Sequence, residues 1–281
     1  INKKKSLSIN KLDKTRLYDA GLEIPSLEDD FNNGSKQSVE YYKHYLEKEN
    51  NSLNILEIGC SWGYFLTYAR KKGHKVTGVE INLTRKGFLE KKLNIKCHEN
   101  IEELIKINKT FDKIFLFYVI EYINNPIYYF QKILNLLTEK GEIIIITPNK
   151  NDAITELWSN EAYKKFIIDE HVVNYFSITS IENLISNLEN VEAEINCKQG
   201  YSFYNHLKWF FINKPSTTGV VGGDNFTKDL SSVFERFEDS KYKSAGNELQ
   251  NFIETADLKY KKLLEDNGLG NQIIIKLKKK I

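Results

Sequence analysis

The stretch Leu56-Glu57-Ile58-Gly59-Cys60-Ser61-Trp62-Gly63-Tyr64-Phe65 decides how this chain is read. An apolar run, Asn54–Ile58, has the composition of a buried strand. It ends in Gly59, Ser61 and Gly63, spaced two apart. Residues this small let a backbone turn tightly and approach a ligand closely. A helix starting near Gly63 would aim its N-terminal amides at that ligand. A second strand, Lys75–Val79, runs into Glu80. A carboxylate at a strand end can accept hydrogen bonds from the two hydroxyls of a ribose. A dinucleotide fingerprint beginning at Gly59 would need glycine at positions 61 and 64. Those positions hold Ser61 and Tyr64, so the turn departs from that pattern.

Working outward, short apolar runs alternate with helical stretches. Further strands are expected at Ile95–His98, Lys113–Tyr118, Glu142–Thr147, Val191–Cys197 and Gln272–Leu277. Several are near-continuous in Ile, Leu, Val and Phe, as for strands covered on both faces. Helices are expected at Gly63–Lys72, Leu83–Lys91, Pro126–Leu137 and Thr179–Leu188, with Ser177 or Thr179 as cap of the last. This alternation predicts an α/β fold: a doubly wound, seven-stranded, mostly parallel sheet. Two regions stand outside it. Residues 1–50 hold a turn (Phe31–Ser35) and a helical stretch, Ser38–Glu49, and form an N-terminal helical cap. Residues 199–268 separate the last two strands, with an aromatic start (Tyr201, Phe203, Tyr204, Trp209, Phe210, Phe211), a turn at Gly219, Gly222 and Gly223, and helix-like sequence over Lys228–Glu265. The expected division is a cap over 1–50, a core over 51–198, a substrate-side insertion over 199–268 and a last core strand over 269–281.

The bulk properties narrow the classes. The chain has 281 residues, enough for one large domain or one domain with an insertion. A hydrophobic fraction of 41% and a charged fraction of 28% are ordinary for a globular protein. The formal charge of +2 gives no global field to draw in nucleic acid or an anionic membrane, and Arg is scarce beside Lys. Cys60, Cys97 and Cys197 lie far apart with no Cys-x-x-Cys pair, which argues against a zinc site or a disulfide framework and for a cytoplasmic setting. No apolar run is long enough to span a bilayer, and the first residues lack the apolar core of a signal peptide.

On these residues the chain resembles the class I S-adenosylmethionine-dependent methyltransferases, whose first motif is acidic-x-Gly-x-Gly-x-Gly. Here it reads Glu57-x-Gly59-x-Ser61-x-Gly63, with Ser61 at the middle glycine. The likeness continues through Phe111-Asp112-Lys113-Ile114, through Val119-Ile120-Glu121-Tyr122 followed by Asn125-Pro126, through the run from Leu136 to Asn149, and through the run from Asp169 to Ile185. Many small-molecule members carry Val-Leu-Glu-His and then Asp-Pro at the second of these; Tyr122 replaces the histidine. The resemblance covers roughly residues 50–198 and the final strand. It implies a Rossmann-like fold and S-adenosylmethionine as cofactor, with S-adenosylhomocysteine as product. It implies that Gly59, Cys60, Ser61 and Gly63 flank the methionine part. Glu57 would orient that loop or the amino group, Glu80 with Ile81 would hold the ribose, and Asn100 and Ile101 would lie against the adenine. Tyr118 and Glu121 would touch the cofactor from the fourth strand.

The acceptor side is read less directly. His171, after the fifth strand, is a candidate general base for a hydroxyl acceptor, since imidazole titrates near neutrality. His206, in Tyr204-Asn205-His206-Leu207-Lys208-Trp209, is a second candidate; its segment resembles an Asn-His-Leu-x-Trp signature of some small-molecule enzymes. Tyr122 is a third. Each could instead be packed or surface-bound, and Glu80 could be a solvated strand-end acid. Tyr41 and Tyr42 are lid or core residues of the N-terminal helix. No carboxylate–histidine constellation for a metal is evident, which predicts metal-independent transfer. The resemblance implies a small polar acceptor, first of all a hydroxyl on a sugar or capsule precursor, including a phosphorus-bearing one as in methyl phosphoramidate synthesis. Carbon or nitrogen methylation, an NAD-dependent oxidoreductase and a non-catalytic binding module are the alternatives. The expected partner is a small molecule, not nucleic acid or membrane; the sequence leaves the oligomeric state open.

Overall fold

A computed structural model describes residues 36–168, 171–213, 235 and 241–280. It contains the seven-stranded sheet expected from the sequence, in the order β3-β2-β1-β4-β5-β7-β6. The strands are β1 (Asn54–Ile58), β2 (Lys75–Val79), β3 (Cys97–His98), β4 (Phe111–Phe117), β5 (Leu137–Pro148), β6 (Val191–Lys198) and β7 (Gln272–Lys279). The pairings β1·β2, β1·β4, β2·β3 and β4·β5 are all parallel. Strand order reverses between β1 and β4, and in such sheets the carboxyl ends of the strands at that point form the ligand crevice. The glycine turn leaves the end of β1, so the fold puts it there.

The helices are α1 (Lys36–Tyr45), α2 (Tyr64–Lys71), α3 (Leu83–Lys91), α4 (Ile101–Lys106), α5 (Pro126–Leu134), α6 (Ala153–Glu156), α7 (Glu161–Ile167), α8 (Ile178–Ile185), α9 (Phe203–Ile212) and α10 (Lys243–Asp266). Local chemistry explains their starts. Asn82, Asn100, Asn125, Asp152, Asn160 and Ser202 each accept an amide hydrogen bond from the third residue on. Pro126 follows its cap at the first helical position, where no amide hydrogen is needed. Ser177 caps α8 reciprocally: its hydroxyl accepts from the Ser180 amide while Ser180 Oγ accepts from the Ser177 amide. Thr179 lies inside the helix.

The chain forms two compact units. The first comprises the described residues up to Ile146 with Leu184–Glu194 and those from Ile275 onward. Its core packs Ile55, Phe65, Leu66, Leu89, Phe115 and Ile144. Phe65 meets Phe115 edge-on with ring centroids 4.8 Å apart. Full burial of an apolar side chain of this size stabilises by about 1.5–3 kcal/mol. The second unit comprises Thr147–Asn183 and Ile195–Ile274. There Ile154, Tyr163 and Trp209 form a small core, and the buried Asn149 amide donates to the Gly268 and Gly270 carbonyls. Among the described residues no helix is long and apolar enough to cross a membrane. The Phe31–Ser35 turn, the Gly219–Gly223 turn, and Asp169 and Glu170 lie outside the described residues.

Candidate cofactor site and acceptor-side residues

The loop after β1 is built by backbone strain and by a single carboxylate. Gly59, Ser61 and Gly63 all have positive φ, at 75°, 49° and 80°. Glycine adopts that region freely, whereas for Ser61 it is a strained conformation costing on the order of 1 kcal/mol. A Cβ on Gly59 would stand 2.5 Å from Val119 Cγ2, so the turn has no space for a side chain there. The Gly59 and Cys60 amides donate to the Val79 carbonyl at 2.8 and 3.2 Å, tying the loop to the end of β2.

Glu80 is the second tie. Its Oε2 accepts from the Ser61 amide at 2.9 Å and its Oε1 from the Asn82 amide at 2.8 Å. One acid therefore fixes the middle of the glycine turn and the start of α3 together. Each carboxylate oxygen has a second lone pair, so these bonds leave acceptor capacity for a ribose. Burial raises the Glu80 carboxyl above its usual range, opposed by those same amide bonds.

Glu57, in β1 beside Glu80, is buried, and its Oε2 has no hydrogen-bond partner among the described residues. Burial, then the Glu80 charge, pushes its pKa well up. An orphaned carboxylate oxygen in such a place is costly, and an ammonium group would satisfy it. Cys60 is buried beneath the loop with its thiol against Cys97; burial, then Cys97, raises its pKa. Gly78 makes room there, because a Cβ on it would lie 2.6 Å from Cys60 Sγ.

Tyr118 follows β4 with φ 57°, another strained residue at the carboxyl end of a central strand. Its hydroxyl interacts with Tyr41, whose ring stacks on Phe117 at 4.3 Å. Helix α1 thus covers the end of β4 through Tyr41, while Tyr42 is buried toward His74, at 3.3 Å from its Nε2. Glu121 is buried and Tyr122 half-buried in a short 3-10 turn, Ile120–Tyr122, just beyond. Ile81 is half-buried beside Glu80.

The two expected adenine contacts lie at the start of α4. Asn100 is exposed and spends its carboxamide oxygen capping α4 through the Glu103 amide, at 3.2 Å. Ile101 is buried in that helix. His98 is buried at the end of β3 with Nδ1 2.9 Å from Glu103 and Nε2 without a partner among the described residues. Among the described residues no group of three or more His, Cys, Asp or Glu is placed to hold a metal ion.

Tyr122 belongs to the first unit; His171 and His206 belong to the second. His171 is half-buried on the segment before α8. His206 is fully buried, with Nδ1 2.6 Å from the Tyr260 hydroxyl and Nε2 3.0 Å from Gln199 Nε2. Both ring nitrogens of His206 are thus engaged by neighbours. Tyr260 carries no local sequence signal, since it lies on α10, far along the chain from α9.

The chain matches a family model described as a methyltransferase domain over residues 36–192. It belongs to that methyltransferase-domain family. Among solved structures it is similar to a SAM-dependent methyltransferase from Archaeoglobus fulgidus, at 16% identity and a TM-score of 0.50, covering 89% of this chain and 96% of that one. It is also similar to coclaurine N-methyltransferase bound to N-methylheliamine and SAH, at 15% identity and a TM-score of 0.50, covering 86% of this chain and 70% of that one. The plantazolicin methyltransferase BpumL, in complex with a monoazolic desmethylPZN analog and SAH, aligns at 17% identity and a TM-score of 0.49, covering 87% and 83%. These likenesses are of fold. A search of curated proteins finds no match.

Proposed function

We propose that the chain transfers the methyl group of S-adenosylmethionine to a small polar acceptor, releasing S-adenosylhomocysteine. The observation that carries this is the junction of Glu80 with the Ser61 amide, beside the orphaned oxygen of Glu57. The residues suit the parts of that cofactor. Gly59, Cys60, Ser61 and Gly63 form the turn against its methionine portion. Glu57 faces its ammonium group, Glu80 with Ile81 its ribose, and Tyr118 and Glu121 flank it from β4. The cofactor supplies an electrophilic sulfonium methyl; the protein aligns the acceptor and excludes water. Tyr41 over Phe117 contributes to that exclusion.

The acceptor in this proposal is a hydroxyl, on a sugar or a capsule precursor, methylated without a metal. His171 is proposed as the base that takes the hydroxyl proton. Calorimetry with S-adenosylhomocysteine tests the first part. Wild type should bind, and Glu80→Gln should bind at least tenfold more weakly, because an amide presents one acceptor oxygen where the carboxylate has two. Stabilisation by NAD but not by S-adenosylhomocysteine would overturn the reading.

A further inference from the structure

The second unit holds a polar relay that sequence gave no reason to expect. The Gln199 side chain is fixed by three bonds. Its Oε1 accepts from the Asn271 amide at 3.1 Å. Its Nε2 donates to the Tyr201 carbonyl at 2.9 Å and faces His206 Nε2 at 3.0 Å. With Nε2 identified as the amide nitrogen, it donates to His206, so His206 Nε2 is the acceptor and its proton resides on Nδ1. That Nδ1–H then donates to the Tyr260 oxygen at 2.6 Å. Tyr260 consequently receives a hydrogen bond from inside, and its own proton is turned outward. The direction of the phenol is set by an amide two residues removed in the relay.

The surroundings define what that proton would meet. Tyr260 is half-buried, packed against Phe203 at 4.7 Å between ring centroids. The other side of His206 carries Trp158 at 5.4 Å, which in turn meets Phe210 at 5.6 Å. Phe203, the ring packed against Tyr260, is 37% exposed, so an aromatic surface borders the hydroxyl. Two carboxylates, Asp152 and Asp257, act on Tyr260, and the cation beside them, Lys261, is already paired with Asp257 at 2.8 Å. Burial, then these carboxylates, holds the phenol protonated well above neutrality. A phosphate gains no unpaired cation from these groups. A ring compound with uncharged oxygens suits both the apolar faces and the single donor.

We propose that Tyr260, held by the Gln199–His206 relay, donates a hydrogen bond to an uncharged oxygen of a polyhydroxy ring that stacks on Phe203, and so selects neutral over phosphorylated ligands. This deepens the methyl-acceptor reading above and rests on it for its biological meaning. His206 and Gln199 are positioning residues, and Tyr260 is the group that touches the ligand.

The test uses the full chain and saturation-transfer NMR with the methyl glycosides of glucose, galactose and mannose, and with the corresponding hexose 1-phosphates. Each is run with and without S-adenosylhomocysteine. Wild type should transfer saturation to at least one neutral glycoside, and several-fold less to its phosphate. Tyr260→Phe should lose most of that signal while remaining folded and keeping its affinity for S-adenosylhomocysteine. Gln199→Glu keeps the phenol but accepts from His206 Nε2–H, leaving Nδ1 bare and turning the Tyr260 proton inward. It should lose binding as Tyr260→Phe does, with the His206 tautomer change visible in nitrogen-15 spectra. A purely structural role would show no such tautomer-linked loss. Absence of transfer to every neutral glycoside, an unchanged signal in Tyr260→Phe, or preference for the phosphates would overturn the proposal. Failure to bind S-adenosylhomocysteine would instead overturn the methyltransferase reading, and the glycoside arms decide the Tyr260 proposal either way.

Discussion

Gly59→Ala probes the glycine turn with a magnitude that can be worked out beforehand. The residue has φ +75°, and an added Cβ would lie 2.5 Å from Val119 Cγ2. Carbon atoms prefer to sit about 3.5–4.0 Å apart, so loop or side chain must shift by roughly 1 Å. The left-handed backbone costs an L-residue roughly 1–2 kcal/mol, and overpacking adds about 1–3 kcal/mol. Alanine also restricts the unfolded chain relative to glycine, which offsets roughly 0.4–1 kcal/mol. The net loss should be about 2–4 kcal/mol. Urea denaturation of the full chain measures it, provided the denaturant dependence is unchanged. Val119→Ala removes the clashing methyl group, so Gly59→Ala in that background should retain only the backbone part, about 1–2 kcal/mol. The cycle should therefore show a coupling of about 1–3 kcal/mol. A Gly59→Ala variant within about 0.5 kcal/mol of wild type, or one that Val119→Ala does not rescue, would refute this account of the turn.

Two other expectations concern titration and reactivity. Glu57 holds its proton more tightly when folded than when unfolded. Stability of the ligand-free protein should thus fall as pH rises from the ordinary carboxylate range to the raised folded value, and level off above it. Thermal melts of Glu57→Gln should show a shallower fall, and an identical slope would count against a protonated Glu57. If an ammonium group meets Glu57, binding S-adenosylhomocysteine should release protons, seen as a buffer-dependent calorimetric enthalpy that shrinks in Glu57→Gln. Cys60 and Cys97 are buried and Cys197 half-buried. A chromogenic disulfide reagent should therefore label Cys197 first and all 3 thiols only on denaturation; equally fast labelling of the native protein would contradict that packing.

Much of the sheet was legible because its strands carry continuous apolar runs. β1, β2 and α3 have the bounds that composition and spacing predict. Other ends moved for physical reasons. β5 starts at Leu137 rather than Glu142, since Leu137 pairs with Phe111 across a register shift that no apolar pattern announces. β3 keeps only Cys97 and His98, the residues that pair with Gly78 and Val79. The short helix α4 is marked in sequence only by its cap, Asn100 followed by Glu103, because six residues are too few to carry a helical period. Within the cofactor site the sequence supplied the residues but not the bonds among them. That Glu80 braces the turn through the Ser61 amide depends on β1 and β2 lying side by side. On the acceptor side His206 was visible and Tyr260 was not, because contacts between α9 and α10 leave no periodic trace in either segment.

The sheet order has a consequence for how the protein is made. β7 lies between β5 and β6, yet roughly seventy residues of chain separate it from β6. During synthesis β5 and β6 emerge first, and each waits with an unfilled edge for a strand still inside the ribosome. The waiting edges are open to mispairing in the interval. The largely polar strand β6 (Val191–Lys198), with five of its eight residues exposed, lowers that hazard at the strand that waits beside no neighbour. Completion of the sheet is thus a late, long-range event, and a ribosome pause just before Gln272 would lengthen the exposed state rather than help the fold.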